Sequence, residues 1–396
     1  MAPNLKYDVV IIGAGVVGMI MATLLSRNNL KVCLVDKNEG FSLNEETLYL
    51  GRTAALNLFS IRLLQDIGVW KDIAPYATTY SEIKTWDTEG SSGISFHASE
   101  VNLENLGAVV SNNALMYFLN KFNFKNENIN FIKGSSLENI SEMPGKLAIK
   151  ISEGKKIFTE VLIGADGGLS TVRKKAKIRT KEWSYEQKAI VAVLSSEKDH
   201  CFIARQIFTP QGPIALLPYD SMNESRLSLV WSIDNKSFQE VSSLNNEDFC
   251  ALLQLKVEGV LGDFKLHGKR NSFPLHQIHA KKYFKGRVAL VGDAAHVIHP
   301  LAGQGLNLGI ADAESLSRVI IQSKRKFIDI GSEGVLSKFQ KERFLTNMRM
   351  MSLMEAFKRG FEVQSPWLKY GRNLLFKAID KPNNLKRKFI KEATGI

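Results

Sequence analysis

The stretch RVALVGDAAHVIHPLAGQGLNLG, from Arg287 to Gly309, gathers groups able to do chemistry. It holds one aspartate, two histidines and a series of glycines behind an apolar strand. His296 and His299 could be read as metal ligands, or with Asp293 as a charged catalytic dyad. A third reading is stronger: a strand end opening onto a cofactor. It depends on the opposite end of the chain.

There, YDVVIIGAGVVGMIMATLLSRNNLKVCLVD predicts strand, turn, helix and strand. Tyr7 to Ile12 is a β-branched run of the kind buried in a parallel sheet. Gly13, Gly15 and Gly18 complete G-x-G-x-x-G where strand gives way to helix. The first permits the tight turn, the second lets a pyrophosphate approach the backbone, and the third lets helix and strand pack closely. Unpaired N–H groups and the dipole at the helix start favour phosphate. Lys31 to Val35 forms the second strand, and Asp36 at its end suits a ribose diol. An aspartate there, rather than a small residue followed by Arg, disfavours a 2′-phosphate, which leaves FAD or NAD. The uncharged run Val9 to Leu25 is too short and too glycine-broken for a membrane span or signal peptide.

The middle of the chain separates FAD from NAD. After a hairpin (Lys146 to Ile151, Lys156 to Glu160), VLIGADGGLSTVRKKA predicts another apolar strand ending in Gly164, Asp166 and Gly167, then a helix from near Ser170. A simple NAD dehydrogenase has no need of it. Val288 to Val291, ending at Gly292 and Asp293, makes a third such strand. Three Gly- and Asp-bearing strand ends would surround one elongated cofactor.

Composition bounds the rest. At 396 residues, 44% hydrophobic and 23% charged, the chain can form one large or two modest cores and is neither fibrous nor disordered in bulk. Cys33, Cys201 and Cys250 form no CxxC pair, which argues against zinc sites and disulfide frameworks and for a reducing compartment. From Lys358 onward ten Lys or Arg face three acids, a net +7 of the whole chain's +12. That suggests an anionic partner, nucleic acid or a membrane surface, or else a solvated basic face. No nucleic-acid motif, repeat or low-complexity tract occurs. Trp367, Leu368, Leu374, Leu375, Ala378 and Ile379 recur at helical spacing among Lys369, Arg372 and Lys377, as suits a membrane surface.

GAGVVG, GADGGLSTVR and GDAAHVIHPLAGQGLNLG, in that order and spacing, resemble the class A FAD-dependent aromatic hydroxylases typified by p-hydroxybenzoate hydroxylase. HPLAGQGLNLG is similar to the wording of the ubiquinone-biosynthesis hydroxylases. So are GRTAALNLFSIRLLQDIGVW (51–70), the spaced Trp183, Tyr185 and Gln187, GPIALLP (212–218) and the basic tail. The resemblance covers nearly the whole chain.

It implies an α/β fold. A Rossmann-like FAD-binding domain would come from 1–75, 100–180 and 270–325, an α+β substrate domain with a β-sheet from 76–99 and 181–269, and a helical basic region from 326–396. It implies FAD contacts at Gly13, Ala14, Gly15, Gly18, Asp36, Lys37, Arg52, Asp166, Gly167, Gly292 and Asp293, and at Gly303, Gln304, Gly305, Leu306 and Asn307. Pro300, Gly303 and Gln304 belong to the loop along the flavin ring, no side-chain base is assigned, and no metal is expected. The helix from Leu306 to about Ile321 would stabilise negative charge on the reduced ring at its N-terminus. His296 would fix the loop by hydrogen bonds, while His299 could do so or line the substrate side. His276 and His279 could sit in the loop or edge strand, or face the pocket.

The implied activity is hydroxylation of a polyprenylated phenol in ubiquinone biosynthesis, with NAD(P)H as transient co-substrate and O2 activated as a flavin C4a-hydroperoxide. The alternatives are a soluble hydroxylase of a small polar phenol and a non-catalytic flavin-binding subunit. The expected location is cytoplasmic, peripheral at the inner membrane face, through the membrane or a biosynthetic assembly. Four departures from the family remove a charge: Leu50 for an acid, Ser111 for Glu, Asn113 for Arg and Gln206 for Glu.

Overall fold

Apolar runs without alternation build the central sheet of the nucleotide half, because strands buried on both faces leave no place for polar residues. In the computed structural model, which describes residues 5–39, 48–49, 52–89, 93–220, 225–298, 303–362 and 384–395, five strands run parallel. Their order is β18 (Val288–Leu290), β11 (Lys156–Gly164), β1 (Leu5–Ile12), β2 (Val32–Val35) and β8 (Ile129–Ile132). β17 (Phe284–Lys285) pairs antiparallel with β18. The hairpin β9 (Leu137–Met143) and β10 (Lys146–Ile151) extends antiparallel from β11.

The first helix, α1 (Val16–Ser26), is apolar on nearly every side and is covered accordingly. It packs between neighbours that include α4 (Asn112–Asn123) and α8 (Gln304–Arg325). Thr23, its one hydroxyl-bearing residue at mid-helix, donates to Asn123 Oδ1 at 2.6 Å. A small antiparallel sheet of β3 (Thr53–Asn57), β7 (Gly107–Ser111) and β4 (Ala77–Tyr80) follows in space, with α2 (Leu58–Asp66) and α3 (Trp70–Ile73) beside it.

The second large sheet runs β19 (His296–Val297), β16 (Phe264–Ala280), β12 (Thr180–Ser196), β15 (Arg226–Asp234), β14 (Gly212–Pro218), β13 (Ile203–Thr209), β5 (Glu82–Asp87) and β6 (Gly93–His97). Its outer face buries Ile190, Leu194, Leu216, Leu229 and Trp231 with Phe249 and Leu253 of α7 (Asn246–Lys256), next to α6 (Asn235–Ser243). Its inner face meets the nucleotide half, where Thr53 Oγ1 lies 2.6 Å from Ser228 Oγ.

Two expectations from the sequence differ from this architecture. The boundary at 269/270 falls inside β16, which pairs with β12 on both sides of it. Gly268, at φ +76°, and its polar neighbours form a bulge in this strand opposite Val191 and Val193. β4 joins β7, not the second sheet.

The tail holds the second difference. Beyond α9 (Glu333–Glu362), the described part of the basic region is α10 (Asn384–Thr394). Lys386, expected on a membrane-facing surface, is only 3% exposed; it pairs with Glu100 Oε1 at 3.0 Å and its Nζ lies 5.8 Å from the Phe96 ring. Ile390 enters a cluster with Tyr80, Ala98, Leu106 and Val109. Arg387, Lys388 and Lys391 remain exposed. A lysine at the foot of a docked helix is thus a packing element, whereas a run of basic residues in sequence reads as uniformly solvated. The apolar stripe of 367–379 lies outside the described residues.

Lys386→Gln should therefore lower the melting temperature, because it leaves Glu100 without its cation; breaking a buried pair costs on the order of 3 kcal/mol. Arg387→Gln with Lys388→Gln should stay within about 0.5 kcal/mol of wild type. Equal melting temperatures for the two variants would contradict the docked helix.

Candidate flavin site

Three neighbouring strands end at one edge. Ile12 stands opposite Gly164, and Gly164 opposite Leu290, so the chain leaves the sheet in a row at Gly13, at Ala165–Asp166 and just before Gly292–Asp293. Ligands of open α/β sheets bind outside such carboxyl ends.

At the first end, Gly13 adopts φ +106°, and a Cβ there would lie 2.3 Å from the Ala165 carbonyl oxygen. A Cβ on Gly18 would lie 2.0 Å from the Gly13 oxygen. Gly15 differs: it has ordinary extended backbone, and a Cβ on it would meet nothing within 4 Å. This open space lies at the start of α1, where no side chain caps the helix and no acid occupies the first turn. An anion fits there, and the free amides would bind it. Asp36 accepts from the Ala14 N–H at 2.7 Å and from the Asn38 N–H at 2.8 Å, so it braces the glycine turn. Lys37 beside it is exposed.

At the second end, Asp166 serves the local fold. It accepts from Ser170 Oγ at 2.5 Å and from the amides of Thr171 and Val172 at 2.6 and 3.1 Å, which starts α5 (Thr171–Lys175). Gly167 is left-handed at φ +78° with open space around it. Arg173, in the helix expected from near Ser170, is buried and donates to the carbonyls of Gly168 and Ala294. It ties the second strand end to the third.

The third end carries Gly292 at φ +58° and then Asp293. The Asp293 side chain is exposed to solvent, yet protein surrounds it closely on the remaining sides. That enclosure pushes its pKa up, and His296, Arg52 and His276 oppose the push. Water reaches the carboxylate through the open side. The upward push acts fully only when a ligand fills the cleft.

α8 begins beside it. Gly303 is left-handed at φ +62°, and its Cβ position lies 3.0 Å from Ala55 Cβ, so the backbone fits closely against β3. Gln304, Gly305 and Leu306 form the first turn, again without a side-chain cap or an acid. Asn307 turns its side chain away to the β3–α2 junction. It accepts from the Asn57 N–H and Ser60 Oγ at 3.0 and 2.8 Å and donates to the Ala55 carbonyl at 2.8 Å, leaving its backbone for any ligand. Gly309 packs against Gly292 and Val17, which brings α8 onto the turn. Arg52 is exposed, with its guanidinium 4.4 Å from the Phe273 ring centre. Pro300, His299 and Leu50 lie outside the described residues.

The histidines form a buried network that the sequence did not disclose. His296 Nε2 lies 2.5 Å from Asp312 Oδ2, and Asp312 Oδ1 accepts from Arg343 Nε at 2.8 Å and Asn347 Nδ2 at 3.0 Å. Asn347 also reaches Tyr283 Oη, which lies 3.1 Å from His279 Nε2. Burial alone would raise the Asp312 pKa, but His296 and then Arg343 pull it down to about 2. Burial, then His296, pushes His279 down to about 4. The available signal was Asp312 itself, an acid set directly among Gly309, Ile310, Ala311 and Ala313. Among the departures from the family, Ser111 caps α4 through the Ala114 amide at 2.9 Å and donates to the Leu48 carbonyl.

Both titrations give one sign. Unfolded His binds its proton from about pH 6.5 and folded His279 only near 4; unfolded Asp does so near about 3.9 and folded Asp312 near 2. The unfolded state takes up protons first in each window. Stability should therefore fall from pH 6.5 to 4, and again below. A melting temperature flat from pH 7 to 4.5 would contradict the buried network.

Among the described residues no group of three or more His, Cys, Asp or Glu is arranged to hold a metal. Chelators should leave flavin content and NAD(P)H oxidation unchanged; stoichiometric zinc or iron lost together with activity would overturn this.

Residues 6–352 match the model of the FAD binding domain family. The chain is 31% identical over 394 residues to 3-demethoxyubiquinol 3-hydroxylase of Escherichia coli (strain K12), covering 99% of this chain and 100% of that protein. This chain belongs to the FAD binding domain family, among the ubiquinone-biosynthesis hydroxylases.

Another member, ubiquinone hydroxylase UbiL of Rhodospirillum rubrum, is 30% identical over 98% of this chain and 89% of its own. In fold the chain is similar to p-nitrophenol 4-monooxygenase PnpA from Pseudomonas putida DLL-E4, at TM-score 0.79, 18% identity and 99% coverage of both chains. As a family member it is an FAD-dependent monooxygenase, with NAD(P)H the reductant typical of the family. The open space at Gly15 and the two uncapped helix starts fit such a cofactor.

Proposed function

We propose that the chain hydroxylates the ring of a polyprenylated phenol in ubiquinone biosynthesis. The observation that carries this reading is the inner face of the second sheet, which turns toward Arg52 and β3. Cross-strand neighbours there run Phe273–Ala189–Ser232 and Val191–Val230–Ala215–Gln206. None is charged, and Gln206 stands where an acid is frequent in the family. Along these rows a substrate carboxylate would meet no cation, Arg52 standing beside them over Phe273, while an uncharged ring with an apolar tail would lose little on desolvation. The names of the relatives at about 30% identity point to the same substrate class.

In this reading Gly13, Ala14, Gly15 and Gly18 receive the pyrophosphate, and Asp36 with Lys37 flanks the ribose. Asp166, Gly167, Gly292 and Asp293 border the ribityl and pyrophosphate region, and Asp293 accepts from hydroxyls. Arg52 and the loop of Pro300, Gly303 and Gln304 lie along the flavin ring. The start of α8, from Gly303 to the Asn307 backbone, offers N–H groups to the ring's developing negative charge. When bound and reduced, FAD supplies the activated oxygen; the chain's residues position the ring and exclude water from it. In the same reading the FAD-binding domain takes 1–75, 100–180 and 270–325, the substrate domain 76–99 and 181–269 with its sheet continued to Ala280, and the basic helical region 326–396.

We infer further that the chain works as a peripheral protein at the cytoplasmic face of a membrane or on a biosynthetic assembly there, with no part for nucleic acid. Arg387, Lys388 and Lys391 support this through their exposure. Each contributes about 1 kcal/mol at most near an anionic surface. Among the described residues no helix is long and apolar enough to cross a membrane. A substrate panel tests the main reading: prenylated phenols should accelerate NAD(P)H oxidation with product formed, and a preference for p-hydroxybenzoate-like acids would overturn it.

A further inference from the structure

The described residues contain one carboxylate that is fully buried, is not itself an expected ligand contact, and yet is joined to both flanks of Asp293. Asp312 lies midway along α8 with no exposed surface. Its Oδ2 accepts from the Gly292 amide at 3.2 Å and lies 2.5 Å from His296 Nε2. Gly292 immediately precedes Asp293, and His296 follows it by three residues. One carboxylate therefore holds both ends of the turn that presents Asp293.

The network is anchored from a third element. Arg343 and Asn347 of α9 occupy Asp312 Oδ1, so the carboxylate cannot rotate without breaking two bonds. Gly292 is left-handed and packs against Gly309, while the Ala295 amide donates to the Gly292 carbonyl at 2.8 Å and Arg173 to the Ala294 carbonyl at 2.9 Å. His296 is 1% exposed and its Nδ1 has no hydrogen-bond partner, so Asp312 is the ring's single polar attachment among the described residues. Because α8 also starts at Gly303, the same helix carries the clamp and the expected ring-facing amides.

We propose that Asp312 is a positioning residue for flavin binding, acting on Asp293 through the Gly292 amide and His296. This rests on the reading of Asp293 as a flavin ligand. Asp312 touches neither substrate nor cofactor; it fixes where the Asp293 carboxylate stands relative to α8.

The test is a double-mutant cycle on FAD dissociation constants of the full-length apoprotein, titrated by flavin fluorescence. Asp293→Asn and Asp312→Asn should each weaken FAD by about tenfold or more, as expected for misplacing the Asp293 carboxylate or exchanging one of its two acceptor oxygens for an NH2 donor. The double variant should bind no worse than Asp293→Asn alone, because a misplaced ligand that is already absent costs nothing further. Should Asp312→Asn not fold, His296→Leu takes its place in the cycle. His296→Gln, which keeps an N–H for Asp312, should restore affinity to within about threefold of wild type. Losses that multiply in the double variant would show a general structural role and overturn the proposal alone. An unchanged constant for Asp293→Asn would overturn the assignment of Asp293 itself, and the proposal with it.

Discussion

Asp293→Ala should purify colourless, or nearly so, from cells in which the wild type is yellow with one flavin per chain. The carboxylate stands at the third strand end, enclosed by protein on all sides but one. Filling that side with a ribityl chain would pair hydroxyl donors with it in a dry place. Removing it leaves those donors unpaired, at a cost of about 1–3 kcal/mol, or roughly five- to 150-fold in affinity. Affinity should fall without loss of fold, because Asp293 makes no described hydrogen bond that stabilises the chain. A variant as yellow as wild type would remove Asp293 from the site.

The glycine turn should separate fold from function more sharply still. Gly13→Ala places a methyl 2.3 Å from the Ala165 oxygen at a backbone angle of φ +106°, so the turn between β1 and α1 cannot close. The backbone on both sides must shift, and the variant should be insoluble or lose several kcal/mol of stability, about the exceptional tail for single substitutions. Gly15→Val meets no atom within 4 Å and needs no unusual angle. It should fold with a melting temperature close to wild type and yet fail to retain FAD, since its methyl groups occupy the room left for phosphate at the helix start. Weak flavin binding by Gly13→Ala with full stability, or normal binding by Gly15→Val, would contradict the geometry.

These positions were legible in the sequence because their chemistry is local. A β-branched run, a glycine at the turn and a helix start follow one another within a few residues, so GAGVVG and the strand ends at Gly164 and Gly292 could be read directly. What stayed hidden depends on contacts distant in sequence. Asp312 looked like an ordinary helix residue until α8 brought it against His296 and α9 brought Arg343 to it. Arg173 became a bridge only when two strand ends met. Asp166 and Asn307 matched motif positions, but their side chains are engaged in starting α5 and in joining α8 to β3. The boundary expected at 269/270 missed the continuity of β16, which only its pairing with the distant β12 on both sides of the Gly268 bulge reveals. Lys386 was counted with its basic neighbours, and only the docking of α10 onto Glu100 distinguishes it.

The central claim is that this chain transfers oxygen to the ring of an uncharged prenylated phenol. The most direct measurement supplies purified holoprotein with NAD(P)H, 18O2 and a prenylated phenol in mixed micelles, and weighs the product by mass spectrometry. One 18O atom is expected on the ring of the prenylated product, as a hydroxyl, formed in step with NAD(P)H oxidised. NAD(P)H oxidation that yields only hydrogen peroxide with that substrate, alongside labelled product from a small carboxylated phenol, would contradict it.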